Sequence, residues 1–288
     1  MEIDTLCLSS GGIFGLSFIG VIKYLEEKNY INLKKITTYV GTSAGAILSF
    51  FLNLDYSIKE IKKTIVNINF EKLEPNIDIY NIIDNNGIDN GLKVLALIIS
   101  FLKEKYNCDD ITFKELFELT NKKLIIIGTN FTKLKEEVFS IDTTPLMSII
   151  VALRISISIP LIFTPVLYNN NYYIDGAFTN AFPLKYCKKE TTIGLYIAYS
   201  YNSNTLNMYN ILLGSVAILT NTIIEKDINN YEVIKIINNS IDINNYSINN
   251  KFKNDIIKLG KITGYKYYNN IINNICLEVI NSLIDKIG

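Results

Sequence analysis

The chain has 288 residues, 49% of them hydrophobic, with 28 lysines and arginines against 28 aspartates and glutamates. A formal charge of zero excludes the strong basic field that nucleic-acid binding needs, so any membrane contact would rely on local patches or apolar surface. No histidine is present, which excludes catalysis that passes a proton to an imidazole.

Thr5–Ser9 is a short apolar run ending at glycines and reads as a buried strand. Phe14, Phe18, Val21, Ile22 and Leu25 then follow helical spacing, closed at Lys28-Asn29. Ile36–Val40 predicts a second strand and Ala44–Leu54 a second helix. Strand, helix, strand, helix in this order implies a right-handed βαβ unit and a parallel sheet. Ser57-Ile58-Lys59-Glu60 is a capping box opening a helix to about Asn67, and Thr112-Phe113-Lys114-Glu115 opens another to about Thr120. Leu92–Leu102 is too short to span a membrane and Ile211–Ile224 is interrupted by Asn221, so both read as core helices.

Lys123–Thr129 predicts a central strand, with Glu137–Ser140 a further one. Thr144-Pro145 predicts a helix over Leu146–Ile155 with the proline in its first turn. Tyr172–Ile174 reads as a short strand ending at Asp175-Gly176, and Thr192–Tyr199 as a buried one. Ile237–Asn250 is polar and low in complexity and reads as a loop, while Ile271–Ile287 reads as a closing amphipathic helix. No repeat or linker interrupts the chain. A single domain over 1–288 is expected, with its motifs in about 4–200 and a largely helical region over about 205–288.

Cys7, Cys108, Cys187 and Cys276 lie far apart without a CxxC spacing, so free thiols in a reducing compartment are expected. Met1-Glu2-Ile3-Asp4 carries acids where a secretory leader carries basic residues. A cytoplasmic chain, at most peripheral at membranes, is the expectation.

Gly41-Thr42-Ser43-Ala44-Gly45 has the GxSxG spacing of a nucleophile elbow between a strand and a helix. Gly41 and Gly45 relieve the crowding of so sharp a turn, and the helix N-terminus brings amide donors to the reacting oxygen. One βα unit earlier, Ser10-Gly11-Gly12-Ile13-Phe14-Gly15 could cradle a phosphate or donate amides to an oxyanion. The nucleotide readings fail in detail: no GxxxxGK[ST] exists, the GxGxxG frame starts on Ser10, and Gly20 lies too far along to complete it. Without histidine, the base for Ser43 must be sought elsewhere. No lysine follows at short helical spacing, Lys59 being the first, whereas Asp175-Gly176-Ala177 ends a strand in a tight turn. An aspartate has a pKa of about 4 in water, and burial beside a serine would raise its basicity.

The glycine loop, the elbow and the Asp-Gly-Ala triplet, in this order, resemble the patatin-like phospholipase family, which is related to the catalytic core of cytosolic phospholipases A2. Leu8 through Gly20 to Glu26, Thr112–Leu119 followed by Lys123–Thr129, and Arg154-Ile155-Ser156-Ile157-Ser158-Ile159-Pro160 through Phe163, Pro165 and Phe182-Pro183 resemble the family too. The resemblance implies a three-layer α/β/α sandwich with a mainly parallel sheet and a Ser43–Asp175 dyad. It implies an oxyanion hole from Gly11, Gly12 and Ile13, with Gly15, Gly41, Gly45 and Gly176 as motif glycines. No metal and no cofactor are implied. The implied activity is of phospholipase A or lysophospholipase type, on phospholipid or related glycerolipid at a membrane or micelle surface, with a protein activator left open. The alternative is a weak or inactive member serving as an interaction or regulatory protein. Two positions depart from the family: Ser10 replaces the loop's first glycine, and Phe14 its usual basic residue. The sole arginine, Arg154, is expected to pair with a carboxylate at a helix end, with anion binding in the site as the second reading.

Overall fold

The computed structural model describes residues 2–68, 87–199, 228–238 and 248–284, together with 211, 214, 215, 218, 221 and 224. The strands are β1 (Thr5–Leu8), β2 (Thr38–Thr42), β3 (Gly87–Asp89), β4 (Lys123–Asn130), β5 (Lys135–Ser140), β6 (Leu161–Phe163), β7 (Val166–Tyr168), β8 (Asn171–Asp175), β9 (Thr192–Tyr199) and β10 (Glu232–Asn238). The helices are α1 (Leu16–Glu27), α2 (Ala44–Asn53), α3 (Ile58–Asn67), α4 (Leu92–Tyr106), α5 (Phe113–Thr120), α6 (Ile149–Ser156), α7 (Ala177–Asn180) and α8 (Asn250–Ile284). A 3₁₀ turn over Gly12–Gly15 precedes α1.

The main sheet runs β10-β9-β1-β2-β4-β8-β7, with β5 also on β4 and β3–β6 as a separate pair. The five strands from β10 to β4 are mutually parallel. Their side chains divide with a period of two, as a sheet covered on both faces requires. Leu6, Leu8, Tyr39, Leu124, Ile126, Ile193 and Leu195 join the core under α1, α2, α6 and α8. Cys7, Val40, Ile125, Ile127, Tyr196 and Ala198 join a smaller core with Ala177 of α7, Ala181, Phe182 and Leu184 on the opposite face. The fold is thus the three-layer α/β/α arrangement around a mostly parallel sheet.

The pairing of β4 sets the position of everything that follows. One side of it is taken by β5, from Ile125 to Asn130. On the other side β2 pairs as far as Thr42, opposite Ile127, and β8 takes over with Asp175 opposite Gly128. Because β2 is parallel and β8 antiparallel to β4, their C-terminal ends meet head to head against adjacent residues.

Both capping boxes form: Ser57 and Thr112 accept from the backbone of Glu60 and Glu115, whose carboxylates accept in return. The helix expected over Leu146–Ile155 starts later, at Ile149. Thr144 cannot cap it, because its hydroxyl accepts from the Ser140 amide. Pro145 lies in a turn closed by the Met147 amide on the Thr144 carbonyl, and Ser148 caps α6 instead by accepting from the Val151 amide. The loop expected over Ile237–Asn250 gives way at its start to β10 and at its end to α8, while 239–247 lie outside the described residues. The helix expected over Ile271–Ile287 begins instead at Asn250, with 285–287 outside the described residues. Asparagine is a poor helix former, but tertiary burial of Phe252, Ile256 and Ile257 outweighs it. Of the run Ile211–Ile224, only scattered positions are described.

α8 packs on α1 with almost no gap. A Cβ on Gly260 would lie 1.8 Å from the Ser17 carbonyl oxygen, and one on Gly20 2.0 Å from that of Ile257. At its start, the buried Lys253 Nζ donates to the carbonyls of Ile65, Val66 and Ile68, so its charge sits on the C-terminus of α3. The four cysteines are free, with Cys7 buried and Cys276 exposed. No helix among the described residues is long and apolar enough to cross a membrane.

Candidate active site

Ser43 stands between β2 and α2 with φ 56° and ψ −122°, a backbone that L-residues adopt only where the surroundings force it. What forces it is close packing behind the turn. A Cβ on Gly41 would lie 2.5 Å from the Gly45 carbonyl, and one on Gly45 2.4 Å from the Leu8 carbonyl oxygen. Only hydrogens at both positions let α2 approach the ends of β1 and β2 so closely.

The head-to-head meeting of β2 and β8 puts Asp175 directly beside this serine. Ser43 Oγ donates to Asp175 Oδ2 at 2.8 Å. The other carboxylate oxygen, Oδ1, accepts from the Ala177 amide at 2.8 Å. Asp175 is fully buried, and desolvation pushes its pKa up from 3.8 to about 7, although the bonds from Ala177 and Ser43 pull the other way. Burial wins because two hydrogen bonds replace only part of the hydration that an ionised carboxylate loses. Such a group is ionised for a useful fraction of time near neutral pH and far more basic than an exposed aspartate.

The glycine loop lies beside the elbow, since Leu8 of β1 pairs with Gly41 of β2. Its chain is anchored on both flanks: the Ser10 amide donates to the Ala181 carbonyl, and the Phe14 amide to that of Gly11. Among the described residues the amides of Gly11, Gly12 and Ile13 donate to no protein group. Gly12 has φ 49° with nothing within 4 Å of where a Cβ would stand, so the chain is open on that side of the loop. Phe14 is buried in the main core, so this departure places an apolar anchor beneath the loop. No group of three potential metal ligands occurs among the described residues.

Comparison with known proteins gives the family and the fold. Residues 6–188 match the family model described as patatin-like phospholipase. The chain belongs to the patatin-like phospholipase family. It is 37% identical over 186 residues to probable lipid hydrolase 463L of Invertebrate iridescent virus 6, covering 62% of this chain and 61% of that protein. The match therefore spans about three fifths of that relative's length. It is also 33% identical over 207 residues to the uncharacterized protein R571 of Acanthamoeba polyphaga mimivirus, covering 70% of this chain and 68% of the relative. Among solved structures, VipD from Legionella pneumophila shares the fold with a TM-score of 0.66 at 18% identity, over 94% of this chain and 67% of VipD. The ExoU chain of the ExoU-SpcU heterodimer from Pseudomonas aeruginosa has a TM-score of 0.55 at 16% identity, over 93% of this chain and 52% of its own. The chain therefore shares the family's sequence pattern over residues 6–188 and the fold of its solved neighbours.

One residue at the site was not singled out from the sequence. Ser156, at the end of α6, accepts the Ser43 amide on Oγ at 2.9 Å and donates to the Ile127 carbonyl at 2.7 Å. Its own carbonyl accepts the Gly176 amide, and that of Ser158 accepts the Asp175 amide at 2.9 Å. The segment 156–158 thus holds the backbones of both Ser43 and Asp175. The sequence places Ser156 in a stretch that resembles the family but assigns it no role, because its partners come from the turn after β2, from β4 and from the turn after β8.

Arg154 lies in the last turn of α6, as expected, with the Asp89 charge acting on it through space, but its hydrogen bonds go elsewhere. It is buried and donates to the carbonyls of Asn90 and Thr164 and to the hydroxyls of Ser158 and Thr164. Its guanidinium also lies over the Phe163 ring. It therefore fastens the β3 and β6 segments to α6 through backbone oxygens, which a charge-bearing fork with several donors does well. Among the described residues no carboxylate hydrogen-bonds to it.

Proposed function

We propose that this protein is a serine acyl hydrolase of phospholipase A or lysophospholipase type, with Ser43 as nucleophile and Asp175 as its base. The observation that carries the reading is the 2.8 Å hydrogen bond from Ser43 Oγ to a buried carboxylate whose basicity burial has raised. In the proposed sequence, Asp175 takes the Ser43 proton as Oγ attacks the ester carbonyl carbon. The amides of Gly11, Gly12 and Ile13 receive the negative charge on the tetrahedral oxygen. Collapse breaks the ester C–O bond, and the proton held by Asp175 passes to the departing alcohol. Water then attacks the acyl-serine, giving its proton to Asp175, and the free fatty acid leaves as Ser43 is restored. Each transfer uses one proton site, so a single carboxylate suffices where other serine hydrolases use an imidazole and its orienting acid.

Membership of the family supports the substrate class proposed: a fatty-acyl ester of phospholipid or a related glycerolipid, met at a membrane or micelle surface. The experiment is release of free fatty acid from mixed phospholipid micelles by the wild type beside Ser43→Ala and Asp175→Asn. Release by the wild type that either substitution lowers at least a thousandfold supports the reading. Equal and negligible release by all three proteins refutes it, as does undiminished release by Ser43→Ala.

A further inference from the structure

Beyond Asp175 the sheet continues outward. β4 runs on from Gly128 to Asn130 and turns over 131–134 into β5, while β8 and its partner β7 reach out alongside. At about 3.3 Å per residue the first hairpin tip overhangs the edge that carries Ser43 by about 10 Å.

The composition of this overhang is unlike a solvated turn. Phe131 is 56% exposed and Leu134 80%. Beside them stand Leu167 and Tyr172, directly paired across β7 and β8 and 61% and 53% exposed. The Phe131 amide donates to the Tyr172 carbonyl at 2.8 Å, so the two hairpins present one apolar surface. Leu134 has φ 53°, a left-handed backbone that hairpins ordinarily give to glycine or asparagine. The neighbouring tip follows that rule with Asn169 and Asn170, at φ 47° and 59°. Leu134 is therefore strained and gains no burial in exchange, so folding alone does not account for it.

The charges around it are sorted as well. Lys133 and Lys135 flank Leu134 at the exposed tip; Lys133 makes no ion pair among the described residues, and Lys135 lies 3.8 Å from Glu137. Glu137 also accepts from Asn130 and Tyr173, and Glu136 from Lys185 and Tyr186. The acids are thus engaged along the strand, while Lys133 and the loosely paired Lys135 stand among the exposed apolar side chains.

We propose that this double hairpin tip is the surface by which the protein docks on a phospholipid bilayer. Phe131 and Leu134 enter the boundary between headgroups and acyl chains, and Lys133 and Lys135 meet anionic headgroups. Apolar and aromatic side chains interleaved with lysine suit that boundary, and the local cations do so on a chain of zero net charge. The inference rests on the lipid-hydrolase reading above, since it brings the bilayer to the edge of the sheet where Ser43 lies.

The test uses the full chain carrying Ser43→Ala, so that vesicles stay intact, sedimented with vesicles of phosphatidylcholine alone or with added phosphatidylserine. Leu134→Asn is the informative substitution because it relieves backbone strain. Its melting temperature should be unchanged or higher while vesicle partitioning falls by roughly tenfold, the scale of one withdrawn leucine. Adding Phe131→Ser should lower partitioning by about a further tenfold, and Lys133→Glu with Lys135→Glu should abolish the gain from phosphatidylserine. In the Ser43 background, Leu134→Asn should lose hydrolysis of vesicle lipid yet keep wild-type turnover of the soluble ester p-nitrophenyl butyrate. Vesicle partitioning that is absent in the wild type, or unchanged by Leu134→Asn and by the double apolar variant, overturns the docking proposal. Absence of soluble-ester turnover in the wild type counts instead against the hydrolase reading, whatever the vesicles show.

Discussion

Replacing Asp175 by asparagine should make the protein more stable while removing its proposed base. A carboxyl moved from 3.8 to about 7 favours its neutral form in the fold by about 4 kcal/mol. Asparagine is neutral at every pH and nearly isosteric. Its oxygen can accept the Ala177 amide, and its NH₂ can donate to Ser43 Oγ once that hydroxyl turns its own proton away. The direction with pH follows from linkage. Below about pH 4 the wild-type carboxyl is protonated in both folded and unfolded chains and contributes no difference. Between about 4 and 7 only the unfolded chain is ionised, so wild-type stability falls as pH rises, and above 7 the full penalty persists. Asp175→Asn should therefore exceed the wild type by up to about 4 kcal/mol at pH 8, with the gap closing toward pH 4. Denaturant unfolding at pH 8, 6 and 4 measures it, alongside acyl hydrolysis at pH 8, which should drop by about 10³-fold or more. A variant equal to or less stable than the wild type at pH 8 would refute the claim that burial without sufficient compensation tunes this carboxylate.

Three further outcomes follow from the same geometry. With no imidazole in the chain and the base at about 7, kcat/KM for a soluble ester should rise through one ionisation near pH 7 and vanish in Asp175→Asn; activity constant down to pH 5 would contradict it. Ser156→Ala leaves the Ser43 amide buried without its acceptor, which should cost about 1–3 kcal/mol of stability and lower kcat more than it raises KM, with Ser156→Thr restoring part of both. Gly260→Ala forces a methyl group against the Ser17 carbonyl, so thermal unfolding should show a loss of about 2 kcal/mol or more without a change in the pH profile of the remaining activity.

Much of the fold was legible because it is written in local patterns. The strand, loop and helix order through Asn53, both capping boxes and the apolar runs of β4 and β9 need only the neighbours in sequence to be read. What escaped depends on remote partners. β10 looks like part of an asparagine-rich tract until it pairs with β9, and the first half of α8 becomes a helix because it buries its face on α1. Arg154 looked like an ion-pairing residue because its acceptors, the carbonyls of Asn90 and Thr164, have no signature in the sequence.

The sequence by itself determined that catalysis here cannot rest on histidine, and it marked Ser43 and Asp175 as the residues to watch, through spacing, turn glycines and strand ends. It could not say that they touch. Only the tertiary structure decided that, by ending parallel β2 and antiparallel β8 against neighbouring residues of β4. The same packing removed water from the carboxylate and so raised its basicity. Proximity and desolvation are both properties of chain segments brought together from more than 130 positions apart, and no local pattern encodes either.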